Sequence, residues 1–243
     1  MKKRMILAAA LALAALTACS AGQDTQPSPT PDAGVPTPAA VTPAPTPTPV
    51  PTPCVYAQAE EDFLLPADDY SWEREHEAEY VMIHFTSAVV ADPENPYDMN
   101  TIRGIFEQTQ VSVHYIIDRE GTVYCYVPEN RVAWHAGKGT WGDDEKYTDK
   151  MNHYAIGIEL VAIGSAADMT PYLKPEDYAA LDGELIGFTD GQYDALRTLV
   201  EDICQRYNIP MDANHVIGHS SYSPAKTDPG ELFKWDRLLG ESE

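Results

Sequence analysis

The chain has 243 residues, room for one or two domains, yet it carries 20 prolines and a formal net charge of −22. With 38 acidic against 16 basic side chains, charge alone excludes nucleic acid and anionic lipid surfaces as natural partners. A neutral or cationic polymer is compatible with it.

Met1-Lys-Lys-Arg4 followed by the apolar run Met5 to Leu16 predicts a secretory signal, since cations precede an apolar stretch too short to span a bilayer as a helix. The run ends in Leu16-Thr-Ala-Cys19, which resembles the lipobox of bacterial lipoproteins. That resemblance implies cleavage after residue 18 and lipid on the Cys19 thiol; an ordinary signal peptide with a cysteine at its cleavage site is the competing reading. Loss of Lys2, Lys3 and Arg4 would take the charge to about −25. Residues 19–53 are mostly Pro, Thr, Ala, Ser and Val, with eleven prolines between Pro27 and Pro53. Proline lacks an N–H and fixes φ, so this stretch is expected to be a disordered tether leaning to polyproline II. At ~3.1 Å per residue it reaches roughly 80 Å when extended. Residues 54–243 are then one domain with a sizeable core.

Within that domain, Glu60 to Glu79 is acidic and predicted irregular. Tyr80-Val-Met-Ile-His84-Phe-Thr-Ser has the length of a strand and ends at a histidine, placed either to face a cleft or to be satisfied in the core. The prolines of Asp92 to Tyr97 predict a loop, and Ile102, Ile105 and Phe106 predict a short helix over Asn100 to Gln108. Val111 to Asp118 and Val123 to Val127, joined by Arg-Glu-Gly-Thr, predict a hairpin. Asn130 to Gly139 is a small-residue loop holding Trp134 and His135, residue types that stack on and hydrogen-bond to a sugar or peptide; a polar surface loop follows to Met151.

Tyr154-Ala-Ile-Gly-Ile-Glu159-Leu-Val-Ala-Ile is a second apolar strand with one carboxylate. Burying a carboxylate costs several kcal/mol unless it is paired or faces a polar cavity; the alternative is an outward position on an edge strand. Ala166 to Phe188 is expected to be loop-rich. Thr189 or Asp190 caps a predicted helix over Gly191 to Tyr207, whose Tyr193, Leu196, Leu199, Val200 and Ile203 make one apolar stripe. A short strand then leads from His215 into a Gly/Ser/Pro loop carrying His219, Lys226 and Asp228. These residue types suit a metal site beside an anion-stabilising lysine, and are equally ordinary in loops. Glu231 to Leu239 closes the chain. Strands and helices interleave without strict alternation, which predicts an α/β domain with a single mixed central sheet flanked by helices. Cys125 and Cys204 read as small core residues; an exported chain could oxidise one pair among Cys54, Cys125 and Cys204, and no chemistry is assigned to them.

Four blocks in order now stand out: Val81-Met-Ile-His84-Phe-Thr; Ser112 to Thr122 continuing into Val132-Ala-Trp-His-Ala-Gly137; Asn152 with Ile156-Gly-Ile-Glu-Leu160; and Gly218-His219 through Lys226-Thr-Asp-Pro-Gly230. Together they resemble the zinc-dependent N-acetylmuramoyl-L-alanine amidases of the type-2 group, which includes animal peptidoglycan recognition proteins. The resemblance covers roughly Tyr80 to Leu238. It implies one zinc held by His84, His219 and Asp228, with Glu159 as general base and Lys226 stabilising the oxyanion. It also implies a substrate groove lined by Trp134, His135 and Asn152. Phe85 stands where many members have a second histidine, and Val113 where glutamate-lacking members have a tyrosine, so this chain looks like the glutamate-using branch. The function implied is cleavage of the amide between N-acetylmuramic acid and L-alanine in peptidoglycan, by a monomer whose only tie to a membrane is its lipid. A non-catalytic peptidoglycan-binding module is the alternative, and the retained ligand set with Glu159 and Lys226 weighs against it.

Overall fold

The computed structural model describes residues 54–240; the expected signal peptide (1–18), lipidated Cys19 and tether (19–53) lie outside the described residues. A five-stranded mixed sheet has the order β4-β3-β6-β2-β7. Its strands are β2 (Tyr80–Thr86), β3 (Tyr115–Ile117), β4 (Val123–Cys125), β6 (Ala155–Val161) and β7 (Val216–Gly218). β3 and β4 form the expected antiparallel hairpin, whereas β3, β6, β2 and β7 run parallel. The two longest strands, β2 and β6, are the most apolar segments and sit centrally, where both faces are covered. Glu159 is therefore on a central strand, which removes the edge-strand reading.

Strand alternation separates two faces. Val81, Ile83, Ile156, Ile158 and Leu160 point into one core cluster with the stripe of α5 (Asp190–Tyr207). Thr189 and Gln192 close a capping box at the start of α5, and Asn208 ends it in the left-handed region. Each large apolar residue on that stripe contributes about 1.5–3 kcal/mol of burial. The opposite face carries Tyr80, Met82 and His84 on β2 and Ala155, Gly157 and Glu159 on β6. This side is covered by an 11-residue helix over Met99–Thr109, whose Ile102 and Phe106 pack with Ile116 and Val161, and by the segments after β4 and β5, which supply Tyr126, Val127 and Ala136; the cleft lies among them at the carboxyl ends of the strands.

Three segments depart from the sequence expectation. The lead-in is not irregular throughout: it contains α1 (Ala67–Tyr70) and β1 (Ser71–Glu73), and β1 pairs antiparallel with β5 (Arg131–Ala133). A three-residue strand has too few alternations to show a period. The segment after β6 carries α3 (Ala166–Met169) and α4 (Pro175–Ala179), with a Ser165/Asp168 capping box at the start of α3. Its apolar residues Met169, Leu173, Tyr178, Leu181 and Leu185 pack with Val89 and Ile163 into a small core of their own. Finally, Cys54 and Cys125 form a disulfide, with Cα atoms 6.4 Å apart, while Cys204 is free and buried. Cys125 is thus a core residue and a cross-link at once. The remaining helices, α2 (Met99–Thr109), α6 (His219–Tyr222) and α7 (Trp235–Leu239), fall where the sequence places a helix, the metal-suited loop and the closing segment.

Candidate active site

β2 and β6 are parallel and in register with His84 opposite Glu159, so both side chains leave the same face of the sheet at its carboxyl end. β7 lies on the other side of β2 and ends at Gly218, which delivers His219 to the same place. The loop then returns Asp228, whose main-chain carbonyl accepts from Ser220 N at 2.9 Å. Gly218 is required there, because a Cβ would lie 2.7 Å from the Pro229 ring.

Three donor atoms converge: His84 Nδ1 is 2.7 Å from Asp228 Oδ2 and 3.1 Å from His219 Nδ1, and His219 Nδ1 is 3.0 Å from Asp228 Oδ2. All three residues are buried. A tetrahedral ion with bonds of about 2.0–2.1 Å needs ligand atoms roughly 3.3 Å apart, so outward shifts of a few tenths of an ångström would admit one. The imidazole tautomers fit too. His219 Nε2 lies 2.9 Å from the Ala136 carbonyl, which can only accept, so the proton is on Nε2 and the Nδ1 lone pair faces the cluster. His84 Nε2 faces His135 Nδ1 at 3.1 Å, the same arrangement with a histidine as the outer partner. Burial first, then the neighbouring His219, lowers His84 to about 4, so it is a neutral donor. Burial works against ionisation of Asp228, but hydrogen bonds with His219 and His84 outweigh it and hold the carboxyl far below its usual range. Two imidazoles and a carboxylate are the donor set of a hydrolytic zinc with an open position.

Glu159 stands beside this group. Its Oε2 is buried with no hydrogen-bond partner among the described residues. Burial, followed by the charge of Asp228, raises its carboxyl well above the usual value, with Lys226 pulling the other way. An unpartnered buried carboxylate oxygen is costly unless something else is meant to meet it. His135 Nε2 is buried and unpartnered as well, and its ring rests on Gly157, where a Cβ would come within 2.6 Å. Lys226 is exposed and lines the same cleft as His84, Glu159, His219, Asp228, Trp134 and His135.

The structure thus brings His84, His219, Asp228, Glu159, Lys226, Trp134 and His135 to one cleft. Asn152 is adjacent but serves the loop: its Oδ1 accepts from His135 N (3.0 Å) and Ala136 N (2.7 Å), fixing the strip that carries His135 and the Ala136 carbonyl. His215 stays outside, bonded to Asp212 Oδ1 at 2.7 Å and stacked on Tyr80. Four participants were missed. Ser112 fixes the Trp134 backbone through its Oγ (2.8 Å). His114 accepts from Gly157 N with Nδ1 (3.0 Å). Asp168 braces the ligand loop, and Tyr172 lines the cleft. A histidine in a strand and a serine beside it carry no distinguishing pattern, and the last two lie in a segment read as loop.

A mixed sheet whose parallel strand ends assemble two histidines, an aspartate and a raised glutamate defines an α/β domain with a cleft that could hold a metal ion beside a buried carboxylate. Residues 74–231 match the profile of the N-acetylmuramoyl-L-alanine amidase family, and the chain belongs to that family. It is 35% identical over 129 residues to the 1,6-anhydro-N-acetylmuramyl-L-alanine amidase AmpD of Enterobacter cloacae, covering 53% of this chain and 55% of that protein. It is 30% identical over 167 residues to the N-acetylmuramoyl-L-alanine amidase AmiD of Escherichia coli K12, covering 65% and 51%. The chain therefore spans about half the length of the curated relatives it matches. A crystal structure of a selenomethionine derivative of AmpD superposes with a TM-score of 0.51 at 25% identity, over 75% of this chain and 93% of that one.

Proposed function

We propose that the protein is a zinc-dependent amidase that hydrolyses the bond between N-acetylmuramic acid and L-alanine in peptidoglycan. The carrying observation is the partnerless, raised Glu159 carboxyl one strand away from His84 of a convergent His-His-Asp group. A structural metal site has no use for such a carboxylate, and a module that only binds has no use for its raised proton affinity. Zinc bound by His84, His219 and Asp228 would polarise the scissile carbonyl and acidify a water at neutral pH. Glu159, with a carboxyl raised towards the working pH, accepts that water's proton and returns it to the departing alanine nitrogen. Lys226 faces the same cavity and offsets negative charge developing on the carbonyl oxygen. The rings of Trp134 and His135 orient the substrate, and burial of His84 keeps its imidazole neutral at the pH of reaction.

Outside the described residues, the expected signal, Cys19 lipid and tether support an extracytoplasmic enzyme held at the bacterial cell membrane. The Cys54–Cys125 disulfide supports the same placement, because such bonds persist in oxidising compartments. The test is mass spectrometry of sacculi and muropeptides treated with the protein. New free L-alanine amino termini that disappear on chelation and in Glu159→Gln are expected; intact glycan–peptide linkages with zinc bound would refute the activity.

A further inference from the structure

Tyr97, Tyr115, Tyr147, Tyr178 and Tyr222 spend their hydroxyls inside the fold, on Leu185 O, Glu129, Glu79, Gly164 O and Tyr147 O respectively. Tyr172 does not. It is 51% exposed, and its hydroxyl has no hydrogen-bond partner among the described residues. It lines the catalytic cleft together with Glu159, Lys226 and Asp228, and with Thr227 and Asp228 it also lines the adjoining cavity. A free hydroxyl at the rim of such a cleft is either a solvated side chain or a donor kept for the substrate. Its mounting and the charges around it favour the donor.

The mounting is firm for an exposed residue. Tyr172 N and Leu173 N both donate to Met169 O at 2.9 Å, and Met169 and Leu173 pack with Val89 and Ile163 in a small core. The same segment is fastened to the ligand loop on both sides of Asp228: Thr227 Oγ1 donates to Asp168 O at 3.1 Å, and Glu231 N to Asp168 Oδ2 at 3.2 Å. Tyr172 is thereby held in place relative to Lys226 and Asp228, as a group that must meet a reacting atom requires.

The charges explain why a neutral donor is useful there. When Glu159 takes the proton of the attacking water, its negative charge passes to the substrate carbonyl oxygen, in a cleft that already holds Asp228. Lys226 is the one lysine or arginine lining that cleft among the described residues, and it is exposed, so water screens it. A second cation would weaken the base, because Lys226 already pulls the Glu159 carboxyl down against burial and Asp228. A hydroxyl donor stabilises the oxyanion without that effect. Burial first, then the charges of Asp228 and Glu159, raise the Tyr172 phenol, so it keeps its proton and donates it in a hydrogen bond only.

We propose that Tyr172 is a further catalytic residue of the amidase, its hydroxyl donating a hydrogen bond to the scissile carbonyl oxygen as that oxygen becomes anionic. The proposal rests on the amidase activity proposed above. Tyr172→Phe removes one oxygen and keeps the ring. It is expected to lower kcat for a muramyl peptide about 10²-fold, with KM and zinc affinity within about twofold of wild type. Binding of a phosphinate that replaces the scissile amide, read by calorimetry on the zinc-loaded protein, should weaken by the same factor, because the hydrogen bond is made to the tetrahedral species. An unchanged kcat, a loss confined to KM, or undiminished phosphinate binding would overturn the role. A wild type that cleaves no muramyl peptide refutes the amidase activity and this role with it, whereas an active wild type with an equally active Tyr172→Phe refutes the role alone.

Discussion

Asp168 should matter to the proposed zinc site although it lies outside the His84, His219 and Asp228 group. Its Oδ2 accepts from Ser165 N (3.0 Å), Ser165 Oγ (2.9 Å) and Glu231 N (3.2 Å), and its main-chain carbonyl accepts from Thr227 Oγ1 at 3.1 Å. Residue 168 therefore holds the ligand loop on both sides of Asp228. Asp168→Ala strips the acceptor from two peptide N–H groups. Ser165 is buried and Glu231 is exposed, so water can repair one of them, and the cost is about 1–3 kcal/mol. At roughly 2–4 °C per kcal/mol for a domain of this size, the metal-free Tm should fall by about 2–12 °C. The sharper expectation concerns zinc. An outer partner that orients a ligand is worth about 10–100-fold in affinity, so Asp168→Ala should weaken zinc by that factor in competition with a chromophoric chelator. Asp168→Asn keeps one amide oxygen for the same donors and should restore affinity to near wild type. If Asp168→Ala melts early yet binds zinc as tightly as wild type, the brace stabilises the fold without placing Asp228, and the reasoning is wrong.

Gly230→Ala should share that phenotype, since Gly230 has φ +82° and a Cβ there would sit 2.4 Å from Asp168 Oδ2; chelator competition and a melting curve check it. Glu159→Gln should lower kcat about 10²–10⁴-fold while leaving zinc affinity within a few-fold, read by steady-state kinetics beside a zinc titration. The raised Glu159 carboxyl also has a sign in pH. The folded metal-free protein keeps a proton that the unfolded chain loses near 4.5, so its contribution to stability is complete below that value and is lost as pH rises through the folded pKa. Denaturant midpoints measured across that range should decline in wild type and flatten in Glu159→Gln. Reducing the Cys54–Cys125 bond, which closes a separation of 71 residues, should cost about 4 kcal/mol in urea unfolding. Cys204, raised by burial to about 11, should stay unreactive to thiol reagents at pH 8 until the protein unfolds.

The sheet was legible where chemistry repeats. β2 and β6 are continuous apolar runs because both faces are buried, and α5 shows its stripe because one helix face meets one sheet face over many turns. The turn around Gly121 gave the hairpin. What escaped is built from single contacts. β1 exists because three residues pair with Arg131–Ala133 across a separation no local window spans. Cys125 looked like a core residue because it is one; its bond to Cys54 follows from the chain before α1 lying along β4, where Glu60 N donates to Val123 O at 2.8 Å.

The site divides in the same way. His84 and Glu159 were visible as lone polar residues in apolar strands, and their functional meaning depends on a register that sets them opposite each other. A shift of one residue would turn one of the pair into the α5 core, so the apolar pattern that fixes the register also assembles the site. Asn152 shows the limit of the family resemblance as a guide. An amide beside a cleft suggests ligand contact, yet its oxygen is fully used by two loop N–H groups that position His135 and, through the Ala136 carbonyl, His219. Asp168 lay deeper still, since Ser165-Ala-Ala-Asp168 at a helix start reads as a capping box and nothing more. Its second task arises because Gly230, lacking a Cβ, lets the ligand loop approach the cap closely enough for Glu231 N to reach the same oxygen. One carboxylate oxygen thus closes a helix end and fixes the loop that carries Asp228, and only the close approach of two distant segments gives it the second role.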